Sequence, residues 1–516
     1  MVTYLSPGVY VEEVDSGARP IEGVGTAIAA FVGMASSGPV NTPTLVTNWS
    51  QYASLFGDFL DGCYLGHAVY GYFLNGGGAC YVVRVGSNEA LPPAAKAVLG
   101  AGSGATSAGK TDGEEGVRIE ALVEGGEGND ITVEVADAPR DDDGEDTFKI
   151  VVRKGGSVAE TFDNLTSKRG AQNFVTVVNK QSKLIRLESL GLTDPLPRGS
   201  VTLAGGGVSA PTHVAPDDYV GSPTDRTGFG GLEAIDEVTM VSVPDLMSAY
   251  QHQMVDLEGV QAVQLAMIAH CELMGDRVAI IDPPPGLNAQ QIKEWRVDKA
   301  GYDSKYACMY WPWVRVLDPS SGTNILVPPS GHMAGIWGRN DDTRGVHKAP
   351  ANEVVRGAIA LEINITKNEH DLLNPVGINC VRAFPGRGIR VWGARTLSSD
   401  SAWRYLNVRR LFNYLEESVL DGTNWVVFEP NDYALWSKIR RTVSAFLVNE
   451  WRKGALFGMT PAEAFYVKCD AETNPAEGID AGQVVCEVGV APVKPAEFVI
   501  FRLSQFSGGT SLVNES

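Results

Sequence analysis

A chain of 516 residues with 44% hydrophobic and 20% charged residues has an ordinary globular composition, and it is too long for a single hydrophobic core. No run of 18 apolar residues occurs, and residues 1–8 lack the basic start and apolar stretch of a signal peptide, so the sequence predicts no membrane span and folding in the cytoplasm. Seven cysteines stand singly (Cys63, Cys80, Cys271, Cys308, Cys380, Cys469, Cys486), which argues for buried free thiols over a zinc knuckle or a disulfide scaffold.

Residues 6–14 (SPGVYVEEV) read as a Pro-Gly turn and an extended run, with Val9 and Val11 on one face and Tyr10, Glu12 and Val14 on the other. A flexible connector follows to residue 25. Residues 26–33 (TAIAAFVG) and 80–85 (CYVVRV) predict buried strands, the second preceded by an aromatic helix and an NGGG turn. Residues 91–113 are rich in Ala, Gly and Pro and read as a linker.

From about 117 to 203, short alternating runs (VRIEALV, DITVEV, FKIVVRK, KLIRLESL, SVTLAG) predict a small inserted β-rich domain. Its charge is lopsided. Residues 111–147 carry fourteen Asp and Glu against Arg118 and Arg140, while residues 375–466 carry twelve Lys and Arg against eight acids. Within a net charge of -20, this gives an acidic outer region that disfavours nucleic acid and a mildly basic domain suited to an acidic protein surface.

After a second linker at 211–231, strands at 238–243, 278–282 and 306–316 alternate with helices at 260–274 and 288–298, the order of an α/β layer. Residues 386–395, dense in Gly and Arg, read as a turn and strand. A helix is predicted from Ser399 or Asp400 to the Asp421-Gly422 stop, with Leu411, Leu415 and Val419 at four-residue spacing. Residues 425–428 (WVVF) predict a buried strand. A second helix, capped by Asn431 or Asp432, carries Leu435, Ile439, Val443, Phe446 and Leu447 on one stripe and Lys438 and Arg441 opposite. Residues 497–506 (EFVIFRLSQF) alternate as a terminal strand. With the N-terminal run, they suit β-augmentation of a neighbouring sheet edge, or pairing within one chain.

The words GINCVRAFPGRGIRVWGARTL, WRYLNVRRLFNYLEESV and WVVFEPND, in that order, resemble the C-terminal domain of contractile tail sheath proteins, the family of myophage tails, R-type bacteriocins and extracellular contractile injection systems. RVAIIDPPPG, YWPWVRVLDP, VPPSGHMAGIWGRND and GVHKAPANEVVRGA resemble that family's core domain, and SPGVYVEEV its N-terminal word. The resemblance implies an α+β and α/β multidomain fold: an N-terminal strand arm and linker (1–20), a subtilisin-like α/β sheath core (21–95 and 211–374), an inserted β-rich outer domain (96–210), and an α+β C-terminal inner domain with a terminal strand (375–516).

It implies a non-enzymatic structural subunit that polymerises as stacked rings around an inner tube and contracts to drive the tube through a target envelope. The implied partners are further copies of the chain, the inner tube protein, and baseplate and terminator or cap proteins, with no cofactor, metal, nucleic acid or membrane insertion. The implied setting is the bacterial cytoplasm during assembly, then a phage tail or a released or intracellular contractile particle. Strand exchange between subunits would use Val9, Tyr10, Val11, Glu12 and Val14 at one end and Phe498, Val499, Ile500, Phe501 and Leu503 at the other. Lys438 and Arg441 would contact the tube.

Rival chemistries are weaker. Residues 104–111 spell a phosphate loop with Gly109, Lys110 and Thr111, but Asp112-Gly113 breaks the chain where a helix is needed, and acidic residues follow. A hydrolase could draw on Ser330, His332 and either Asp282 or Asp341, yet no G-x-S-x-G elbow is present. His332 and His347 read as loop hydrogen-bonders. Lys438, Arg440, Arg441, Arg452 and Lys453 lack the aromatic platforms of a nucleic-acid groove.

Overall fold

The structure, a computed structural model, describes residues 20–502 apart from 87–94, 101–115, 123–125, 138–146, 169, 171, 191–195, 197 and 205–213. Two compact units emerge: Val24–Thr343 with Pro350–Leu406, and Asn407 onward with Arg344–Ala349 and the stretch ending at Gly23.

The larger unit is built on an eight-stranded sheet ordered Gly388–Val391, Ile378–Phe384, Ala307–Trp311, Val278–Ile281, Met240–Ser242, Ile28–Gly33, Ala79–Arg84, Thr44–Val46. All its strands run parallel except the two at the edges. Both faces are covered, so the central strands are apolar throughout and split their residues by parity. Ala30, Val32, Val241, Ala279 and Met309 enter one core beside the helix Leu257–Met274, whereas Ala29, Phe31, Met240, Ile280 and Tyr310 enter another beside Leu65–Asn75 and Ser330–Arg344. Glycines let the last two helices touch: a Cβ on Gly335 would lie 2.3 Å from the Tyr72 carbonyl oxygen, and one on Gly331 2.4 Å from the Ala68 backbone.

The inserted segment forms a three-stranded sheet (Lys96–Gly100, Gly116–Ala121, Ile185–Leu190) and a four-stranded one (Gly199–Thr202, Ile131–Asp137, Phe148–Lys154, Ser157–Leu165) around one core of Val117, Ile119, Val133, Ile150 and Val152. The expected linker at 91–113 therefore contains a strand, Lys96–Gly100, which pairs with Gly116–Ala121. The strand Ser157–Leu165 escapes sequence reading because most of its residues stay exposed.

Beyond residue 375 several expectations change. Ile378–Phe384 and Gly388–Val391 belong to the large sheet, so the compact C-terminal unit begins at Asn407 and not at 375. Its first helix, Leu406–Thr423, starts later than Ser399 and passes through Asp421-Gly422. Gly422 is not a stop there: a Cβ on it would meet Ile21 at 2.6 Å, so close packing selects the glycine. The expected strand at 425–428 is a 3-10 turn, Asn424–Val426, that leads to exposed Val427 and Phe428. A β-branched run becomes a strand only where another edge completes its hydrogen bonds, and none does so here. The helix Tyr433–Arg452 follows with Asp432 as its cap, the carboxylate accepting the Leu435 N–H at 2.8 Å.

Candidate functional site

The hydrolase candidates do not assemble into a relay. Ser330 opens the helix Ser330–Arg344 and is fully buried; its hydroxyl donates to Asp282 Oδ2 at 2.5 Å and its N–H to Oδ1 at 3.0 Å. The serine thus meets the carboxylate directly, with no imidazole between them, and both groups are buried, so they form neither a Ser-His-Asp relay nor a surface a substrate reaches. His332 lies in the same helix, not in a loop, with its ring against Gly71. Burial depresses its pKa to about 4, and Nδ1 has no hydrogen-bond partner. Burial also pushes the Asp282 carboxyl up to about 7, despite the two bonds from Ser330. Asp341 instead accepts from the Thr26 hydroxyl at 2.7 Å. His347 contributes its backbone oxygen, which accepts from Asn407 Nδ2 at 2.7 Å.

Open α/β sheets bind ligands beyond the carboxyl ends of strands where the strand order reverses. Here that crevice, beyond Ile28–Gly33 and Met240–Ser242, is occupied by buried Asp245. Its carboxylate accepts the N–H groups of Met34 at 2.6 Å, Leu65 at 3.1 Å and Tyr64. Burial raises its pKa to about 6, against those three donors. The phosphate-loop spelling at 104–111 lies outside the described residues. Among the described residues no cluster of His, Cys, Asp and Glu could hold a metal, and no helix is long and apolar enough to cross a membrane.

Surfaces of the C-terminal unit offer more. Phe465–Lys468 and Glu487–Val490 form a two-stranded antiparallel sheet on its own, with Tyr466 and Val488 exposed. After it, Phe498, Val499, Ile500 and Phe501 are 72%, 69%, 78% and 84% exposed and hold no regular structure. Four consecutive exposed apolar residues make a continuous apolar surface. Leu503 and the whole N-terminal set, Val9, Tyr10, Val11, Glu12 and Val14, lie outside the described residues.

The helix Tyr433–Arg452 buries Leu435, Ile439, Val443, Phe446 and Leu447 as its spacing requires. Arg441 is exposed and borders a small cleft with Pro20, Ile21 and Phe446. Lys438 is only half-exposed, its ammonium lying over the Trp425 ring. Much of the positive charge expected for a basic surface is spent internally: Arg409 and Arg410 are buried, and Arg409 donates to Asn413 at 2.6 Å and Glu416 at 3.0 Å. Sequence reasoning missed Phe428, which is entirely exposed at φ 68°, a conformation that costs a bulky residue energy. The signal was available in the Phe-Glu-Pro-Asn-Asp turn that follows the apolar run.

Two family models match in succession, the phage tail sheath protein central domain over residues 231–397 and the phage tail sheath C-terminal domain over residues 398–506. The tail sheath protein of Vibrio phage KVP40 is 28% identical over 247 residues, 43% of this chain and 36% of that protein. The chain thus spans little more than a third of that relative's length. The tail sheath protein of Burkholderia phage BcepMu is 25% identical over 521 residues, covering 96% of this chain and 95% of that protein. The helical sheath of the anti-feeding prophage in its contracted state shares the fold, with a TM-score of 0.57 at 23% identity over 98% of this chain and 100% of that one.

Proposed function

This chain belongs to the phage tail sheath family, and from that membership we propose that it is the structural subunit of a contractile sheath, polymerising helically around an inner tube and shortening to drive the tube through a target envelope. The unbroken family match from residue 231 to 506 carries the reading. The candidate catalytic groups support it from the other side, because Ser330, His332 and Asp282 are buried, with Ser330 and Asp282 bonded to each other.

Terminal strand exchange is the device we propose for cohesion. The N-terminal run with Val9, Tyr10, Val11, Glu12 and Val14 and the C-terminal run with Phe498, Val499, Ile500, Phe501 and Leu503 would complete sheets of neighbouring subunits. The exposed apolar tail and the small two-stranded sheet support this, since both leave backbone and side-chain surface to be covered. Head-to-tail contacts whose rotation does not close generate a helix, and exchanged strands keep neighbours joined while globular bodies slide. A metastable extended polymer needs no nucleotide to contract.

The doubly covered parallel sheet suits the subtilisin-like core implied by the resemblance, now as a scaffold. The acidic insert would face outward and the C-terminal unit inward, with Arg441 and, in part, Lys438 towards the tube. Baseplate and terminator or cap proteins would close the ends. Assembly would take place in the bacterial cytoplasm, and the mature sheath would be part of a phage tail or contractile particle.

Electron microscopy of the purified chain mixed with its tube protein tests the reading. The full chain is expected to form sheathed tubes, and a variant lacking residues 1–19 to remain folded and unpolymerised. Failure of the full chain to polymerise would overturn the sheath assignment. Normal sheaths from the truncated chain would overturn only the strand exchange.

A further inference from the structure

Five of the seven cysteines lie in the larger unit, and the other two face each other in the smaller one. The antiparallel register of the C-terminal hairpin is Phe465 opposite Val490, Tyr466 opposite Gly489, Val467 opposite Val488 and Lys468 opposite Glu487, so the next pair outward is Cys469 and Cys486. The Ala491 N–H donates to the Ala464 carbonyl at 2.8 Å, which makes Ala464 and Ala491 a hydrogen-bonded pair. By alternation, Val467 with Val488 and Cys469 with Cys486 are non-hydrogen-bonded pairs, the kind whose α-carbons approach to about 4.5 Å with side chains closest. That spacing lies inside the range a disulfide spans, about 4.4 to 6.8 Å.

The neighbourhood holds the pair in place. The hairpin register sets the two cysteines opposite each other. Buried Asn474 ties the loop between them to the strand: its Nδ2 donates to the Val485 carbonyl at 3.0 Å, and its Oδ1 accepts the Val485 N–H at 2.6 Å. The same amide approaches Cys469 Sγ at 3.9 Å. Arg440, on the helix behind, donates to the Cys469 carbonyl at 3.4 Å.

We propose that Cys469 and Cys486 are a modification site: a dithiol that converts to an intramolecular disulfide when the protein meets a low-molecular-weight disulfide such as oxidised glutathione. Cys486, the less buried of the two, loses its proton to solvent, and its thiolate attacks one sulfur of the reagent. The reagent's S–S bond breaks and one small thiolate leaves. The Cys469 thiolate then attacks the Cys486 sulfur and expels the second. The protein pair gives up two electrons and two protons, and the reagent becomes two thiols. The bond clamps the hairpin at the mouth of the 470–485 loop.

Burial pushes the Cys486 thiol up to about 12 and raises Cys469 as well; the charged groups facing the pair are Arg440, which lowers both, and Asp470, which raises Cys469. Little thiolate exists at neutral pH, so the site stays reduced in a reducing cytoplasm and closes slowly outside one.

Peptide mapping of the full chain tests this. After exposure to oxidised glutathione and alkylation, the expected product has lost two hydrogen atoms and yields a cross-linked peptide pair holding Cys469 and Cys486, at a rate that rises roughly tenfold per pH unit between pH 7 and 9. Amide exchange at Lys468 and Glu487, the hydrogen-bonded pair next to the cysteines, is expected to slow severalfold in that product. Cys486→Ser is expected to abolish the cross-link, and the wild-type map decides the matter even if that variant folds poorly. A stable glutathione adduct on Cys486 without a cross-link, or two thiols that remain alkylatable under conditions that oxidise the denatured chain, would overturn the proposal.

Discussion

The Lys438 ammonium lies 4.0 Å from the centre of the Trp425 ring, so the two residues read as a tube-facing pair of cations, Lys438 and Arg441, play different parts. A cation over an indole face at a partly exposed site contributes about 0.5 to 1 kcal/mol. Lys438→Glu is therefore expected to lower the denaturation midpoint by an amount corresponding to about 1 kcal/mol, while Arg441→Glu leaves it unchanged. Both should weaken co-sedimentation with the tube protein, Arg441→Glu the more cleanly. Equal stability for the two variants would remove the structural role assigned to Lys438.

Four buried groups predict an unusual pH profile. Burial raises Asp245 to about 6 and Asp282 to about 7, and lowers His270 and His332 to about 4 each. Between pH 4 and 6 the folded carboxyls keep protons that unfolded ones release, so these two groups make stability fall as pH rises. Over the same window the unfolded imidazoles hold protons that the buried ones do not, so stability rises with pH. The slopes oppose each other. Asp282→Asn removes one falling contribution and is expected to tilt the profile upward by about 1.4 kcal/mol per pH unit relative to wild type. Urea midpoints taken from pH 4 to 6.5 measure it, and parallel curves for the two proteins would refute the assignment.

How far the sequence exposes this architecture depends on where the determining contacts lie. The strands of the large sheet were legible at Ile28–Gly33, Ala79–Arg84 and Val278–Ile281, because a strand buried on both faces is apolar at every position. The helix Tyr433–Arg452 was legible from Asp432 and its apolar stripe. The helix at Ser330 was not, since its Gly-rich first turns are chosen for backbone contact with Ala68 and Tyr72, a partner far away in sequence. Trp425 to Phe428 failed for the opposite reason: strand-like residues lie on a turn with no partner edge, Val427 and Phe428 exposed and Trp425 covered by Lys438. The family words of the C-terminal region pointed to function, but Lys438 beside Trp425 depends on a loop that no periodicity describes.

The exposed tail makes the sharpest demand on the assembly reading. Each large apolar side chain moved from water into an interface contributes about 1.5 to 3 kcal/mol, and Phe498 and Phe501 start at 72% and 84% exposure. In the isolated subunit neither side chain has much to lose. The double substitution Phe498→Ser and Phe501→Ser is expected to shift monomer stability by less than about 0.5 kcal/mol, yet to abolish sheath formation on the tube. Thermal unfolding measures the first and electron microscopy the second. A marked loss of monomer stability would mean that the tail folds back on its own subunit. Intact sheaths from the doubly substituted protein would mean that no neighbour takes it up.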